Sequence, residues 1–273
     1  MWSGKRLGAR VRMRIEFLTQ EDPLYILPFF EEFLKNYAGD FDIVEISCCP
    51  TMGRRPRLQL LRELTLLYGL AGMARLLSLT AKARLLGKLS RDRSAQEFYS
   101  IGQIARAYNI PYQKIGNPNA PEFVELVRRR AADVIVSVAC PFIFKEALLS
   151  VPPRGCVNVH HAPLPRYKGM MPTFWQMFHG EECVGVTVHF MAAKIDEGTA
   201  LLQESLEIEP GETMHNLIRR SKRYGAHCMA QVLREIASKT HRTKTLATEN
   251  GSYFTFPTFA EIREFRNRGL QSI

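Results

Sequence analysis

Three polar side chains stand where a strand-based ligand site would put them. Asn158 and His160 lie two apart in Gly155–His160 (GCVNVH), and Asp196 follows the next apolar run, Val184–Met191 (VGVTVHFM), inside the loop KIDEGT. Residues two apart on a strand point to the same side, so the Asn158 amide and the His160 imidazole can face one reacting atom. An amide donor beside a proton-shuttling imidazole suits a reaction in which negative charge builds on an oxygen while a proton moves. A carboxylate near the imidazole favours its charged form and fixes its orientation. Taken singly, Asn158 reads as a strand-end cap and His160 as a satisfied buried histidine. His161 is expected to point away, because neighbouring strand residues face opposite sides. The same geometry argues against a metal held by His160, His161 and Asp196. His161, His179 and His189 read as structural.

The elements around these residues alternate. Arg14–Thr19, Asp42–Ser47, Asp133–Ala139, Gly155–His160, Val184–Met191 and Leu201–Ile208 read as strands. Leu24–Tyr37, Ser94–Tyr108, Pro121–Ala131, Phe142–Ser150 and Glu212–Ser238 read as helices. The alternation predicts an α/β fold: a Rossmann-like, mostly parallel sheet flanked by helices, with a helical insertion and a short C-terminal extension. Such sheets bind ligands at the carboxyl ends of their strands. No GxGxxG follows the first strand, so nothing supports a dinucleotide site. Arg57–Leu89 is leucine-rich and basic, contains Gly69, Gly72 and Gly87, and reads as two or more inserted helices broken at those glycines. Gly251–Ile262 reads as a short extended piece and a closing helix. The expected organisation is a flexible extension over 1–12, a catalytic domain over 13–240 with a basic insertion at 54–93, and a short extension over 241–273. Met13 is an alternative start.

The formal charge is +10, and it is concentrated. Residues 54–93 hold ten basic side chains against Glu63 and Asp92. A local basic field attracts phosphate, nucleic acid or anionic lipid, or is simply a solvated helix face. The longest uncharged stretch there, Leu64–Ala74, is too short to span a bilayer. The first dozen residues lack the apolar core of a secretory signal. Six cysteines without a CxxC read as reduced thiols of a cytosolic protein, with no zinc site.

Gly155–Trp175 (GCVNVHHAPLPRYKGMMPTFW) followed by Gly185–Gln203 (GVTVHFMAAKIDEGTALLQ) closely resembles the folate-dependent formyltransferase family. That family includes methionyl-tRNA formyltransferase, glycinamide ribonucleotide formyltransferase and the sugar N-formyltransferases. Asn158, His160, Leu164-Pro165, Lys168-Gly169 and Asp196-Glu197-Gly198 match its pattern of Asn-x-His, a Leu-Pro turn and an Asp-x-Gly loop. A weaker likeness runs from about Arg14 to Ile236. His161, Ala162-Pro163 and the size of the Arg57–Leu89 insertion depart from the common pattern. The resemblance implies 10-formyltetrahydrofolate as donor substrate, no metal, and Asn158, His160 and Asp196 as the catalytic set. It also implies a pterin site between Ala139, Cys140, Pro141, Phe142, Ile143, Phe144 and the loop of Met191, Ala192 and Ile195, with Leu164 and Pro165 nearby.

The implied acceptor is a small-molecule primary amine that bears phosphate. An amino sugar linked to a nucleotide or a lipid is the preferred reading, with methionyl-tRNA the alternative and glycinamide ribonucleotide a third. The tRNA enzymes of the family normally carry a further C-terminal β-barrel, and too few residues follow Ser238 to form one. The tail with Tyr253, Phe254 and Phe256 is similar to those after sugar N-formyltransferase cores. The basic insertion argues mildly for tRNA, since phosphate contacts supply much of nucleic-acid affinity. A lipid-linked sugar would instead place its arginines near phosphate and its leucines near the chain, a peripheral membrane contact of a cytoplasmic enzyme. A formyl-folate hydrolase, a catalytically silent binding relative and a homodimer remain open readings.

Overall fold

The computed structural model describes residues 12–50, 57–89, 97–192 and 199–273. In chain order the elements are β1 (Arg14–Gln20), α1 (Leu27–Tyr37), β2 (Asp42–Cys49), α2 (Arg57–Leu89), α3 (Ile101–Ala107), β3 (Tyr112–Lys114), α4 (Pro121–Arg130), β4 (Val134–Val138), α5 (Glu146–Leu149), β5 (Cys156–His160), β6 (Lys168–Gly169), α6 (Pro172–Phe178), β7 (Cys183–Phe190), β8 (Ala200–Glu207), α7 (Met214–Ser238), β9 (Tyr253–Phe254) and α8 (Phe259–Asn267). Seven strands form one sheet in the order β3-β2-β1-β4-β5-β7-β8. β1 to β5 pair in parallel, whereas β7 pairs antiparallel with both β5 and β8. The mostly parallel sheet expected from the alternation is the one observed. The strand order reverses direction between β1 and β4, the place where such sheets open a crevice at their carboxyl edge.

The central strand β4 (VIVSV) is buried along its whole length, because helices cover both faces of the sheet. On one face Phe17 of β1 meets Phe29, Phe30 and Phe33 of α1, with ring centroids 5.2–6.4 Å apart. Leu233, Val232, Met229 and Ala226 of α7 complete that layer. On the other face Phe123, Val124 and Val127 of α4 pack with Leu18, Ile135, Phe144, Leu148 and Cys156. Thr213 starts α7 by accepting a hydrogen bond from the Asn216 amide at 3.2 Å.

Several boundaries differ from those expected, each for a local reason. The Asp22 carboxylate accepts from the amides of Leu24 and Tyr25, so those residues form a turn and α1 begins only at Leu27. Ser100 caps α3, which therefore starts at Ile101 rather than Ser94. The Asn119 side chain holds the Ile143 carbonyl and the Lys145 amide, keeping that stretch extended and shortening α5 to one turn. The three-residue β3 (YQK) carries no alternation long enough to signal a strand.

Of the three glycines expected to break α2, Gly69 alone does so, with φ 70 and ψ 174. Gly72 stays helical and admits close packing: a Cβ there would lie 2.9 Å from Cγ2 of Ile273. The carbonyls freed at the break are satisfied by α8 and the segment after it. The Arg266 guanidinium donates to Leu66 and Leu67, and the Ser272 hydroxyl donates to Leu67. Leu67, Tyr68, Met73 and Leu76 then share one apolar cluster with Phe174, Trp175, Leu217, Ile262 and Phe265. By length and composition Leu61–Gly87 is long and apolar enough to cross a membrane. That span takes in Arg62, Glu63, Arg75, Lys82 and Arg84, whereas its longest uncharged stretch, Leu64–Ala74, is shorter than a bilayer needs. The break at Gly69 and the packed inner face nevertheless bind α2 to the α/β body. Residues 1–11, 54–56 and 90–93 of the expected extension and insertion lie outside the described residues.

Candidate active site

β5 runs between β4 and β7 and ends at the carboxyl edge of the sheet. Asn158 pairs with Ser137 on one side and His189 on the other, and His160 pairs with Thr187. The antiparallel register makes a contact that spacing alone does not reveal. The Asn158 Nδ2 and His189 Nε2 atoms lie 3.2 Å apart, and His189 Nδ1 lies 2.9 Å from the Phe190 carbonyl. A carbonyl only accepts, so Nδ1 carries the hydrogen and Nε2 accepts from the Asn158 amide. Asn158 therefore has a fixed orientation, and His189, expected to be structural, sits against the candidate site.

His160 is buried, and its Nε2 donates to the Tyr167 carbonyl at 2.9 Å. Tyr167 reaches that position with φ 59, in the left-handed region that side-chain-bearing residues rarely adopt. The surrounding turn is tied down from several directions. The Leu164 amide donates to Thr187 Oγ1, which donates to the Ala162 carbonyl at 2.7 Å. The Tyr167 amide donates to Ser252 Oγ at 2.8 Å, and β6 pairs in parallel with β9. Gly169 has φ 91, and a Cβ there would overlap the Phe254 carbonyl. Phe254 stacks on Trp175 at 4.6 Å and on Tyr167 at 5.5 Å. The segment after α7 thus helps to build the turn that holds His160.

His161 turns away, as expected. It is buried against α7, with Cε1 2.9 Å from where a Cβ on Gly225 would stand, and neither ring nitrogen has a hydrogen-bond partner. Burial holds its pKa well below the ordinary imidazole value, with nearby Lys222 acting in the same direction. Burial likewise pushes the Lys222 ammonium down to about 8, against the opposing pull of Asp22.

Asp196 and Ile195 lie outside the described residues. The ends of their loop are fixed: the Met191 amide donates to the Cys156 carbonyl at 2.8 Å, and the Phe190 amide donates to Thr199 at 2.9 Å. Met191 and Cys140, from the two stretches expected to hold the pterin, pack on the same cluster around Leu18, Phe144 and Leu148. Ala139 has φ 52, Pro141 and Phe142 are half-buried, Ile143 and Ala192 are exposed, and Phe144 is buried beneath them. Leu164 is buried with Ala200 and Leu246, and Pro165 is half-buried beside it. Cys140 Sγ lies 3.6 Å from Cys49 Sγ. Burial pushes the neighbouring Cys48 thiol up to about 12, which keeps it protonated and unreactive. Among the described residues, no group of three His, Cys, Asp or Glu side chains is placed to hold a metal.

Comparison with known proteins gives this geometry a context. Residues 86–233, more than half of the chain and including Asn158, His160 and Asp196, match the family described as formyl transferase. A methionyl-tRNA formyltransferase of Chlorobium chlorochromatii is 37% identical over 150 residues, covering 55% of this chain and 48% of that protein. The chain thus spans about half the length of the curated relatives it matches. Glycinamide ribonucleotide transformylase 1 from Symbiobacterium toebii superposes with a TM-score of 0.59 at 17% identity, covering 90% of this chain and 100% of that one. The sugar 3N-formyl transferase WlaRD, crystallised in the presence of dTDP and 5-N-formyl-THF, superposes with a TM-score of 0.53 at 17% identity, covering 93% and 78%. At such identities the two structures share the fold. By the match over 86–233, the chain belongs to the formyl transferase family.

Proposed function

We propose that this chain transfers a formyl group from 10-formyltetrahydrofolate to a primary amine carried on a nucleotide- or lipid-linked amino sugar. The observation that carries the reading is the placement of Asn158 and His160 two residues apart at the end of β5, each oriented by its own partner. Attack of a neutral amine on the formyl carbon converts its carbonyl oxygen to an oxyanion. The Asn158 amide, joined by the His160 Nδ1–H once that nitrogen has taken the amine's proton, is the donor assigned to that oxygen. The attacking nitrogen must lose a proton and the folate nitrogen must gain one. Nε2 of His160 holds its hydrogen toward Tyr167, so Nδ1 is the ring position assigned to this shuttle. Asp196 is assigned, on the motif, to favour the imidazolium. Ala139–Phe144, Leu164-Pro165 and the Met191–Ile195 loop are assigned to the pterin. Residues 13–240 form the proposed catalytic unit, with 241–273 bracing it, and the cytoplasm is its proposed location.

The amino-sugar acceptor is supported by the aromatic tail built against Tyr167 and Trp175 and by the shared fold with a sugar formyl transferase. Methionyl-tRNA is the second reading, because the sequence relatives carry that name at higher identity. Formyl-folate turnover by the purified chain discriminates the readings. Turnover dependent on amino-sugar nucleotides supports the first, and dependence on charged methionyl-tRNA moves the acceptor to the second. Turnover that ignores every amine makes the protein a hydrolase. Folate binding with no turnover makes it a silent relative, and both of these last outcomes overturn the proposal.

A further inference from the structure

α2 has two apolar faces, and only one of them is inside. Leu67, Tyr68, Met73 and Leu76 pack into the body. Leu70, Leu77 and Leu85 stand in solvent at 82%, 58% and 59% exposure, and Leu58 and Leu61 in the first half at 79% and 49%. Beyond the break, Leu70, Ala74, Leu77, Ala81 and Leu85 recur at steps of three and four, so they share one side of the helix. All five are exposed. On that cylinder Arg84 borders the stripe on one flank, and Arg75 and Lys82 border it on the other; all three are exposed. No acidic residue occurs between Leu64 and Leu89.

We propose that this exposed stripe of α2 docks on an anionic bilayer surface, with Leu70, Leu77 and Leu85 toward the acyl chains and Arg75, Lys82 and Arg84 at the level of the lipid phosphates. An apolar stripe bracketed by cations is the arrangement of a helix lying in the membrane interface. Its basic flanks are complementary to anionic headgroups and their stems can reach upward from the buried stripe. The alternatives fit less well. Nucleic acid would satisfy the cations but leave the leucines in water. A second copy paired through this stripe in parallel register would set Arg75, Lys82 and Arg84 among their own kind, since the one acid of the helix, Glu63, lies before the break and outside the stripe. A transmembrane passage is opposed by the inner face, which is built into the same cluster as α6, α7 and α8. Docking would bring the site toward the membrane, since Tyr68 on the inner face bonds Tyr25 just beyond the carboxyl end of β1 at 2.9 Å.

The inference rests on the exposure and charge of α2 and not on formyl transfer, and its test reads no activity. The full chain is sedimented with phosphatidylcholine vesicles and with vesicles in which a third of the lipid is phosphatidylglycerol, at low and high salt. Binding is expected to the anionic vesicles at low salt, to fall with salt, and to be weak on the neutral ones. Leu77→Glu is expected to weaken it about tenfold or more, and Arg75→Gln and Lys82→Gln roughly fivefold each. Unchanged circular dichroism and melting of the variants show that folding is intact. Failure to bind anionic vesicles overturns the proposal, as does binding indifferent to Leu77→Glu. Light scattering that shows a dimer abolished by Leu77→Glu would assign the stripe to a second copy. Retention of tRNA without retention of vesicles would assign it to nucleic acid, and either result overturns membrane docking.

Discussion

Nε2 of His160 donates to a carbonyl that its own neighbourhood holds in a strained conformation, which fixes the orientation of the imidazole. Replacing His160 with alanine is expected to abolish formyl transfer with the fold retained, while Asn158→Ala should cost about 10²–10³ in rate if the amide serves the oxyanion. Near wild-type turnover in either folded variant would remove these residues from the mechanism. His189 poses a subtler test. Its Nε2 accepts from Asn158, so His189→Ala frees the amide to rotate without removing it. A fall in kcat of about tenfold with little change in KM is expected, since orientation of a donor matters most when charge develops. Equal losses in kcat and in folded fraction would mark His189 as merely structural. Asn158 and His160 were legible because strand periodicity puts them on one side. His189 was not, because its contact with Asn158 depends on an antiparallel register set 31 positions away. The part played by Tyr167 belongs to a backbone carbonyl, which no side-chain pattern advertises.

At the scale of elements, the turn between β5 and α6 is held by a strand that arrives some eighty residues later. Ser252 Oγ accepts from the Tyr167 amide, and the Lys168 amide donates to the Ser252 carbonyl. Ser252→Ala removes the first bond and keeps the second. A loss of roughly fivefold in kcat is expected with β6 and β9 still paired, because the Tyr167 carbonyl loses its restraint and His160 its fixed orientation. Steady-state kinetics of the folded variant checks this, and an unchanged kcat would show that the turn is rigid without the hydroxyl. The closing segment was legible as an extended piece and a helix, but its destination was not. Two-residue strands carry no periodicity, and the parallel pairing of Lys168 with Tyr253 is a tertiary choice. α2 was blurred for a different reason. One apolar face enters the body and another stays in solvent, so the wheel lacks the single stripe from which amphipathicity is read.

For the whole molecule, alternation of strands and helices was enough to place the fold class, while the antiparallel end of the sheet came from pairing that alternation does not encode. One buried charge links this architecture to pH. Glu16 of β1 is fully buried between sheet and helix, where Arg130 at the end of α4 bonds it at 2.6 Å and also reaches Glu45 of β2 at 2.9 Å. Burial raises the Glu16 pKa from 4.5 to about 7 even though Arg130 and the Ser47 hydroxyl pull it down. The folded state therefore binds a proton that the unfolded chain releases at lower pH. The stability this supplies is fully present below about 4.5 and is lost as pH rises through about 7. Glu16→Gln keeps an acceptor for Arg130 and removes the titration. Its stability relative to wild type is expected to improve by on the order of 3 kcal/mol between pH 4 and pH 8, from a shift of about 2.5 pKa units. Comparing variant with wild type at each pH cancels the growing self-repulsion of a chain that already carries +10. Denaturant unfolding curves at successive pH values measure the difference. Parallel pH dependences would mean that Glu16 stays ionised throughout and that the Arg130 pair, not burial, governs this face of the sheet.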